Sequence, residues 1–238
     1  MQHKARIDIE TFGREPNRFD FKADKAKIKV PGTIKKQETI DAHIEKEFQK
    51  MIDNEDVEFD KAWRKGALDI LNAQVICAGF KLDDNRTICP AFREERFIIK
   101  ELNKRCKDLG SERHLVEWVT WNGTNFDIPI LTTRALLYGY MDLYNALPKG
   151  SRDKRNLDMM QMVTPTMWNQ YWSLSEICAY LKVPVKEGDI TGKTVHDHFL
   201  KGNIKGIRKY CIQDVQALVK LEEKFNLDYT IRGKHHLY

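Results

Sequence analysis

The chain has 238 residues, of which 42% are apolar, 32% charged and 10% aromatic, enough for one folded domain with a core and incompatible with disorder throughout. No stretch approaches the ~18 uncharged apolar residues that a membrane-spanning helix needs, so no membrane partner is expected. Forty basic against 35 acidic residues leave a net charge of +5, a mild excess compatible with a polyanionic partner.

The start, Met1-Gln2-His3-Lys4, lacks an apolar segment and a small-residue cleavage site, so a cytoplasmic, non-secreted protein is expected. Residues 4–10 alternate as a short strand, with Ile7 and Ile9 on one face and Asp8 and Glu10 on the other. Residues 13–72 are polar and charge-rich, with Lys22, Lys25, Lys27, Lys29, Lys35 and Lys36 early and an acidic run, Asp53 to Asp60, later. Within this stretch Ile40, Ile44, Phe48 and Ile52 recur at helical spacing over 37–52. It is too poor in apolar residues to hold a core alone, so 1–238 is expected to be a single domain with 13–72 as a charged insertion.

Core-like sequence returns at 74. Val75 to Leu82 reads as a strand, Asp83-Asp84-Asn85 as a tight turn, and Thr87–Phe92 as the second strand of a hairpin. A helix over 94–108 sets Phe97, Ile98, Leu102 and Cys106 on one side. Leu115–Trp121 reads as a strand, followed by a helix capped by Thr124 or Asn125 and reaching Tyr138, with Pro129 in its first turn. A basic loop, Lys149–Arg155, precedes a short strand at Asn156–Met159 and helices near 173–182, 193–201 and 206–224. Strands followed by alternating helices and strands predict an α/β fold with a mixed five-stranded sheet flanked by helices.

The five cysteines are irregularly spaced without a C-x-x-C, so reduced, mostly buried thiols and no zinc site are expected. His196 and His198 lie two apart, about 200° around a helix, which fits helix-surface histidines better than a ligand pair.

Three acidic segments carry the chemistry. In Ile7-Asp8-Ile9-Glu10-Thr11-Phe12-Gly13, period-two spacing puts both carboxylates on one strand face, close enough to share a metal. In Trp121-Asn122-Gly123-Thr124-Asn125-Phe126-Asp127-Ile128-Pro129, Asp127 falls in the first turn of a helix that follows a strand. In Tyr210-Cys211-Ile212-Gln213-Asp214-Val215, the tyrosine and aspartate share a helix face about 6 Å apart along the axis. Each alone also admits an ordinary structural reading: exposed strand acids, a dipole-favoured acid, or a surface aspartate beside a half-buried tyrosine.

Taken together the set resembles the ribonuclease H-like fold of the DnaQ-like, or DEDD, 3′–5′ exonucleases. Asp8 and Glu10 match the first motif, Asp127 the second and Asp214 the third. Tyr210 makes it the tyrosine variant, DEDDy; the histidine variant would want histidine at 209, where Lys209 stands. The second motif is similar to that of family B DNA polymerase exonuclease domains. Ser173 to Cys178 and Tyr210 to Val215 resemble small stand-alone relatives, many of them phage-encoded. The resemblance covers 4–12 and 74–225 and says little about 13–72.

It implies two divalent cations, Mg²⁺ or Mn²⁺, which together stabilise the attacking and the leaving oxygen of a phosphodiester. Asp8 would bridge them, Glu10 and Asp214 would complete the site of the attacking water, Asp127 would hold the second ion, and Tyr210 would orient the water. Thr11, Phe12, Asn122 and Phe126 would meet the terminal nucleotide, against the alternative that Phe126 is core and Asn122 a turn former. The basic tracts at 22–36, 149–155 and above all 201–209 would track the backbone or simply be solvated. Asp158 occupies the place of a recurrent acid in this fold and is given no catalytic role. The expected substrate is single-stranded nucleic acid, DNA before RNA. The rivals are an exoribonuclease of the same mechanism, a ribonuclease H-type endonuclease, which would not need Tyr210, and a non-catalytic nucleic-acid-binding module.

Overall fold

A computed structural model describes residues 3–92, 94–150, 152–164, 172–184 and 188–225. The strands are β1 (Lys4–Gly13), β2 (Ala73–Leu82), β3 (Glu117–Thr120) and β4 (Asn156–Asp158). The helices are α1 (Gln37–Gly66), α2 (Glu95–Asp108), α3 (Asp127–Leu137), α4 (Met141–Ala146), α5 (Met159–Val163), α6 (Leu174–Tyr180), α7 (Val195–Leu200) and α8 (Ile204–Lys224). The chain divides into two compact units, Gly13–Asn72 and the remainder.

In the larger unit the sheet order is β2-β1-β3-β4, with β1, β3 and β4 mutually parallel. The Asp83 N–H donates to the Lys4 carbonyl (2.7 Å), so β2 ends where β1 begins and runs against it, which makes the sheet mixed as expected. Four strands rather than five are present among the described residues. The expected hairpin partner, 87–92, returns along β2 through only two isolated bridges, Phe80–Ile88 and Cys77–Ala91. Pro90 lies between them; it accepts from the Ala78 N–H (3.1 Å) but has no N–H to give back, so the ladder is broken.

β1 is central in the sheet, with β2 and β3 on its two edges, and helices pack on both faces of the sheet. Ala5, Ile7 and Ile9 join Val75, Ile98, Leu102, Trp118 and Leu131 in one core, under α2, α3 and α4. On α2 the buried apolar positions are Ile98, Ile99, Leu102 and Cys106; the expected Phe97 is instead exposed, one position off the stripe. Val119, Leu157 and Met159 join Ile177, Cys178, Leu218 and Leu221 in a second core on the opposite face, under α6 and α8. A buried network ties the first layer to β2: the Glu95 carboxylate accepts from Arg134 Nε (2.9 Å), the Val75 N–H (2.8 Å) and the Tyr138 hydroxyl (2.7 Å). A buried charge is tolerated there because its hydrogen-bonding capacity is filled.

On the polar face, the helix α8 packs against β1. Glu222 near the end of α8 meets Lys4 Nζ (2.8 Å) and Arg6 Nε (2.5 Å) at the start of β1. Gly79 of β2 makes the close approach possible: an added Cβ would lie 2.7 Å from Val215 Cγ2 and 3.0 Å from the Cys211 carbonyl.

The unit Gly13–Asn72 is built on α1, which runs 30 residues and takes in the acidic run at 53–60 as well as the expected 37–52. Its helix is laced by exposed pairs such as Lys50–Glu47 and Arg64–Asp60, and Phe59 is its one buried side chain. Phe59 packs edge-on against Phe21 (5.6 Å) and Trp63 (5.7 Å), and Trp63 Nε1 donates to the Gly13 carbonyl (2.7 Å). The Arg14 N–H donates to the Asn72 carbonyl (2.9 Å), which closes the two ends of the unit. No helix among the described residues is long and apolar enough to cross a membrane.

Candidate active site

The polar face of β1 supplies Asp8 and Glu10, and α8 supplies Tyr210 and Asp214. A cleft of about 790 Å³ is lined by Asp8, Tyr210 and Asp214 together with Trp121, the start of α6 and the segment at 188–193. Ligand oxygens of Asp8 and Glu10 and the Cys211 sulfur all lie within 4.8 Å of one another. Asp127 stands at the start of α3, where its Oδ1 accepts from the Ile9 N–H between the two acids of β1 (3.0 Å). The chain thus brings the five expected residues to one place from three distant segments.

Burial sets the electrostatics. It pushes the Asp127 carboxyl up to about 7; the Ile9 N–H and its own N–H act the other way, and the charges of Asp158 and Asp214 add to the rise. Tyr210 is raised far above its ordinary value, first by burial and then by Glu10, Asp214 and Asp8, with the Gly192 backbone opposing. Its hydroxyl therefore stays protonated at neutral pH and can donate.

The second-motif loop is shaped differently from the expectation. Neither Thr124 nor Asn125 caps α3: Phe126 occupies the cap position and makes no side-chain cap bond. Asp158, buried at the end of β4, holds the loop instead. Its Oδ1 accepts from the Asn122 N–H (2.9 Å) and its Oδ2 from the Thr124 N–H (3.0 Å), while Asn122 sits in the left-handed region at φ 61°. The sequence reading saw this acid and missed what it holds. Hydrogen bonding across the sheet leaves no local pattern to read.

The four candidate nucleotide contacts are not among the residues that line the cleft. Phe12 is 7% exposed, stacked on His196 (4.6 Å) and tilted against Phe199 (4.5 Å). Thr11 is buried on β1, and Phe126 packs against the first core. His196, expected on a helix surface, is 5% exposed, because the α7 face that carries it covers Phe12; its neighbour His198 bonds Asn203 (3.0 Å).

The cleft's other walls, Trp121 and the start of α6 among them, were given no role in the site from sequence. Trp121 Nε1 donates to the Trp172 carbonyl (2.9 Å). Ser173 opens α6 with a capping box to Glu176, an S-x-x-E pattern that is legible in sequence. Of the basic tracts, 149–155 is partly tied down: Arg155 bonds Asp153 (2.7 Å) and the Ala146 carbonyl (3.0 Å), and Lys149 lies over the Tyr144 ring (3.5 Å). In 201–209, Lys201, Lys205, Arg208 and Lys209 are exposed beside Tyr210.

A family model of predicted 3′–5′ exonucleases related to the exonuclease domain of PolB matches residues 93–218, more than half of the chain. The chain belongs to this exonuclease family. The matched segment contains Asp127, Asp158, Tyr210 and Asp214 and begins after Asp8 and Glu10. The fold is similar to that of a family B DNA polymerase from the hyperthermophilic archaeon Pyrobaculum calidifontis, with a TM-score of 0.57 and 17% identity over 94% of this chain. The chain spans 24% of that polymerase's length. Curated protein sequences give no match. The family of PolB-related exonucleases implies a nucleic-acid substrate, and the acids around Asp8 are a donor set of the kind such an exonuclease uses for divalent metal.

Proposed function

We propose that this chain hydrolyses single-stranded DNA from its 3′ end to nucleoside 5′-monophosphates by a two-metal mechanism of the DEDDy type. The observation that carries the reading is the convergence of three separate segments: Asp8, Tyr210 and Asp214 line one cleft, Glu10 lies beside Asp8, and Asp127 is bonded to the Ile9 N–H between those two acids.

The donor set fits hard cations. Carboxylate oxygens crowd a partly buried site where their repulsion and burial already hold the Asp127 carboxyl high, and oxygen ligands are what Mg²⁺ and Mn²⁺ take. Asp8, Glu10, Asp127 and Asp214 would hold the two ions. Bound there, the ions would acidify water and offset charge on the attacking and leaving oxygens.

The chain's own groups do the rest. The protonated Tyr210 hydroxyl donates to the attacking water and fixes its direction, in a place walled by α8 and the 188–193 segment. The cleft admits one frayed strand end beside Trp121, whose ring offers a base a surface to stack on. Of the exposed cations of 201–209, Lys209 shares a pocket with Tyr210 and would take a phosphate that follows.

The test is digestion of matched 5′-labelled single-stranded DNA and RNA with Mg²⁺, with Mn²⁺ and with EDTA. A ladder shortening from the 3′ end, faster on DNA and abolished by EDTA, is the expected result. Faster loss of RNA would assign a ribonuclease, cleavage of a circular strand an endonuclease, and binding without cleavage a binding module.

A further inference from the structure

Three of the five cysteines, distant in sequence, meet in the fold. Cys77 lies on β2, Cys89 on the segment that returns along β2, and Cys211 on α8. Their sulfurs lie within 4.8 Å of one another, and all three residues are buried. The meeting depends on Gly79: an added Cβ would lie 3.1 Å from Cys211 Sγ, so glycine lets α8 lower that sulfur onto the sheet.

The surroundings would suit a ligated sulfur. The Gly79 N–H donates to Cys211 Sγ (3.0 Å), the kind of outer bond that orients and supports a metal-bound thiolate. Cys89 lines an open pocket of about 330 Å³ whose charged walls are Glu101, Arg105 and Arg208, which gives a route from solvent and a net positive charge beside Cys89.

We propose that Cys77, Cys89 and Cys211 form a three-thiolate site for one thiophilic d¹⁰ divalent cation, Zn²⁺ or Cd²⁺, that ties α8 to the sheet behind the carboxylates. Zn–S bonds of about 2.3 Å set sulfurs about 3.8 Å apart, so no pair has to close by more than about 1 Å. Binding forms three metal–sulfur bonds and releases the three thiol protons to solvent, leaving a net charge of −1 next to Arg208. Cys211 gives up its S–H bond to the Asp8 carbonyl (3.3 Å) and keeps the Gly79 N–H. Soft sulfur and hard carboxylate donors sort the ions, so Mg²⁺ does not compete. The spacing of the cysteines in sequence gives no sign of this site, because it is assembled across the sheet.

The test uses the full chain, reduced and stripped with EDTA, titrated with Cd²⁺ in excess Mg²⁺ that occupies the carboxylates. The expected result is a thiolate-to-cadmium ultraviolet absorption that saturates at one ion per chain. The melting temperature should rise by about 5–10 °C at a hundredfold excess over Kd. Cys89→Ser should weaken Cd²⁺ binding at least a hundredfold, Cys77→Ser should do the same if the first variant folds poorly, and Cys106→Ser should change neither readout. Wild type without a saturating band, or Cys89→Ser and Cys77→Ser binding as well as wild type, would overturn the proposal. So would a band lost on Asp8→Asn and kept on Cys89→Ser. The readout does not depend on nuclease activity, so it stands or falls apart from the exonuclease reading.

Discussion

Replacing Asp158 by asparagine removes the clamp on the loop that leads to Asp127. The carboxylate accepts from Asn122, Thr124 and Met160 N–H groups at 2.9, 3.0 and 3.2 Å, at a site only 5% exposed. Asparagine has one acceptor oxygen, so its amide NH₂ must face either the Thr124 or the Asn122 N–H. One charge-assisted bond is lost, at roughly 1.5–3 kcal/mol, and the others weaken to neutral strength, for a total of about 2–4 kcal/mol. Asn122 adds to this, since its left-handed backbone costs ~1–3 kcal/mol and persists only while the loop is held. In a chain of this size the melting temperature should fall by about 5–15 °C. Turnover should fall roughly tenfold or more, because a displacement of about 1 Å at Asp127 is enough for that. The substitution also removes a negative charge that helps to raise the Asp127 carboxyl, so a pure charge effect would ease Asp127 ionisation and work the opposite way. Thermal melts and single-turnover cleavage on one preparation separate the two. A melting temperature within about 1 °C of wild type with unchanged turnover would refute the clamp.

Tyr210→Phe keeps the ring and removes one hydrogen bond to the attacking water, so turnover should drop about ten- to two-hundred-fold with Mg²⁺ affinity unchanged by calorimetry. Asp214→Ala should abolish both; a lower melting temperature with normal turnover in Tyr210→Phe would make the tyrosine merely structural. Because the folded Asp127 carboxyl is raised to about 7 from an unfolded value near 3.9, its contribution to metal-free stability is complete below about pH 4 and is lost as pH rises through 7. The metal-free melting temperature of wild type should therefore fall between about pH 4 and 7 relative to Asp127→Asn, and Mg²⁺ should bind more weakly as pH drops below about 7; parallel pH profiles of the two proteins would contradict this. Gly79→Ala should lift α8 from the sheet and cost about 1–3 kcal/mol in chemical denaturation, with a larger loss of turnover than stability alone explains. Wild-type stability in that variant would show that the helix has room to move.

What the sequence could show was periodic or local. The alternation of Ile7 and Ile9 with Asp8 and Glu10 survives in β1 because side chains on a strand alternate whatever covers them. The i, i+4 pair Tyr210 and Asp214 survives because a helix fixes it. The capping box at Ser173 and Glu176 is local in the same way. What failed was decided by contacts between distant segments: Asp158 rather than Thr124 or Asn125 holds the second-motif loop, Pro90 breaks the expected fifth strand, and the α7 face covers Phe12 and so buries His196. The helix expected over 37–52 continues through the acidic run at 53–60, which was not assigned to it for another reason. Its acids lie all round α1 and are balanced by cations such as Lys61 and Arg64 at i+3 and i+4, a pattern without an apolar stripe to mark the helix.

The placement of the site follows from how α8 lies along β1. From Tyr210 to Glu222 the helix rises about 18 Å, and from Lys4 to Glu10 the strand advances about 20 Å. Glu222 pairs with Lys4 and Arg6 at one end, and at that match of lengths Tyr210 and Asp214 fall beside Asp8 and Glu10 at the other. A helix on a sheet can repack only in steps of about one turn, 5.4 Å, since its side chains must return to equivalent gaps. Such a step would strip Glu222 from both cations, leaving its buried carboxylate without them at a cost of about 3–5 kcal/mol, while Lys4 keeps Glu117, and would carry Tyr210 and Asp214 past the acids they serve. The Cys211 sulfur, seated over Gly79 between these two ends, resists the same step by sterics. Ion pair, glycine seat and acidic cluster thus specify a single register, and the register is what makes separated residues one site.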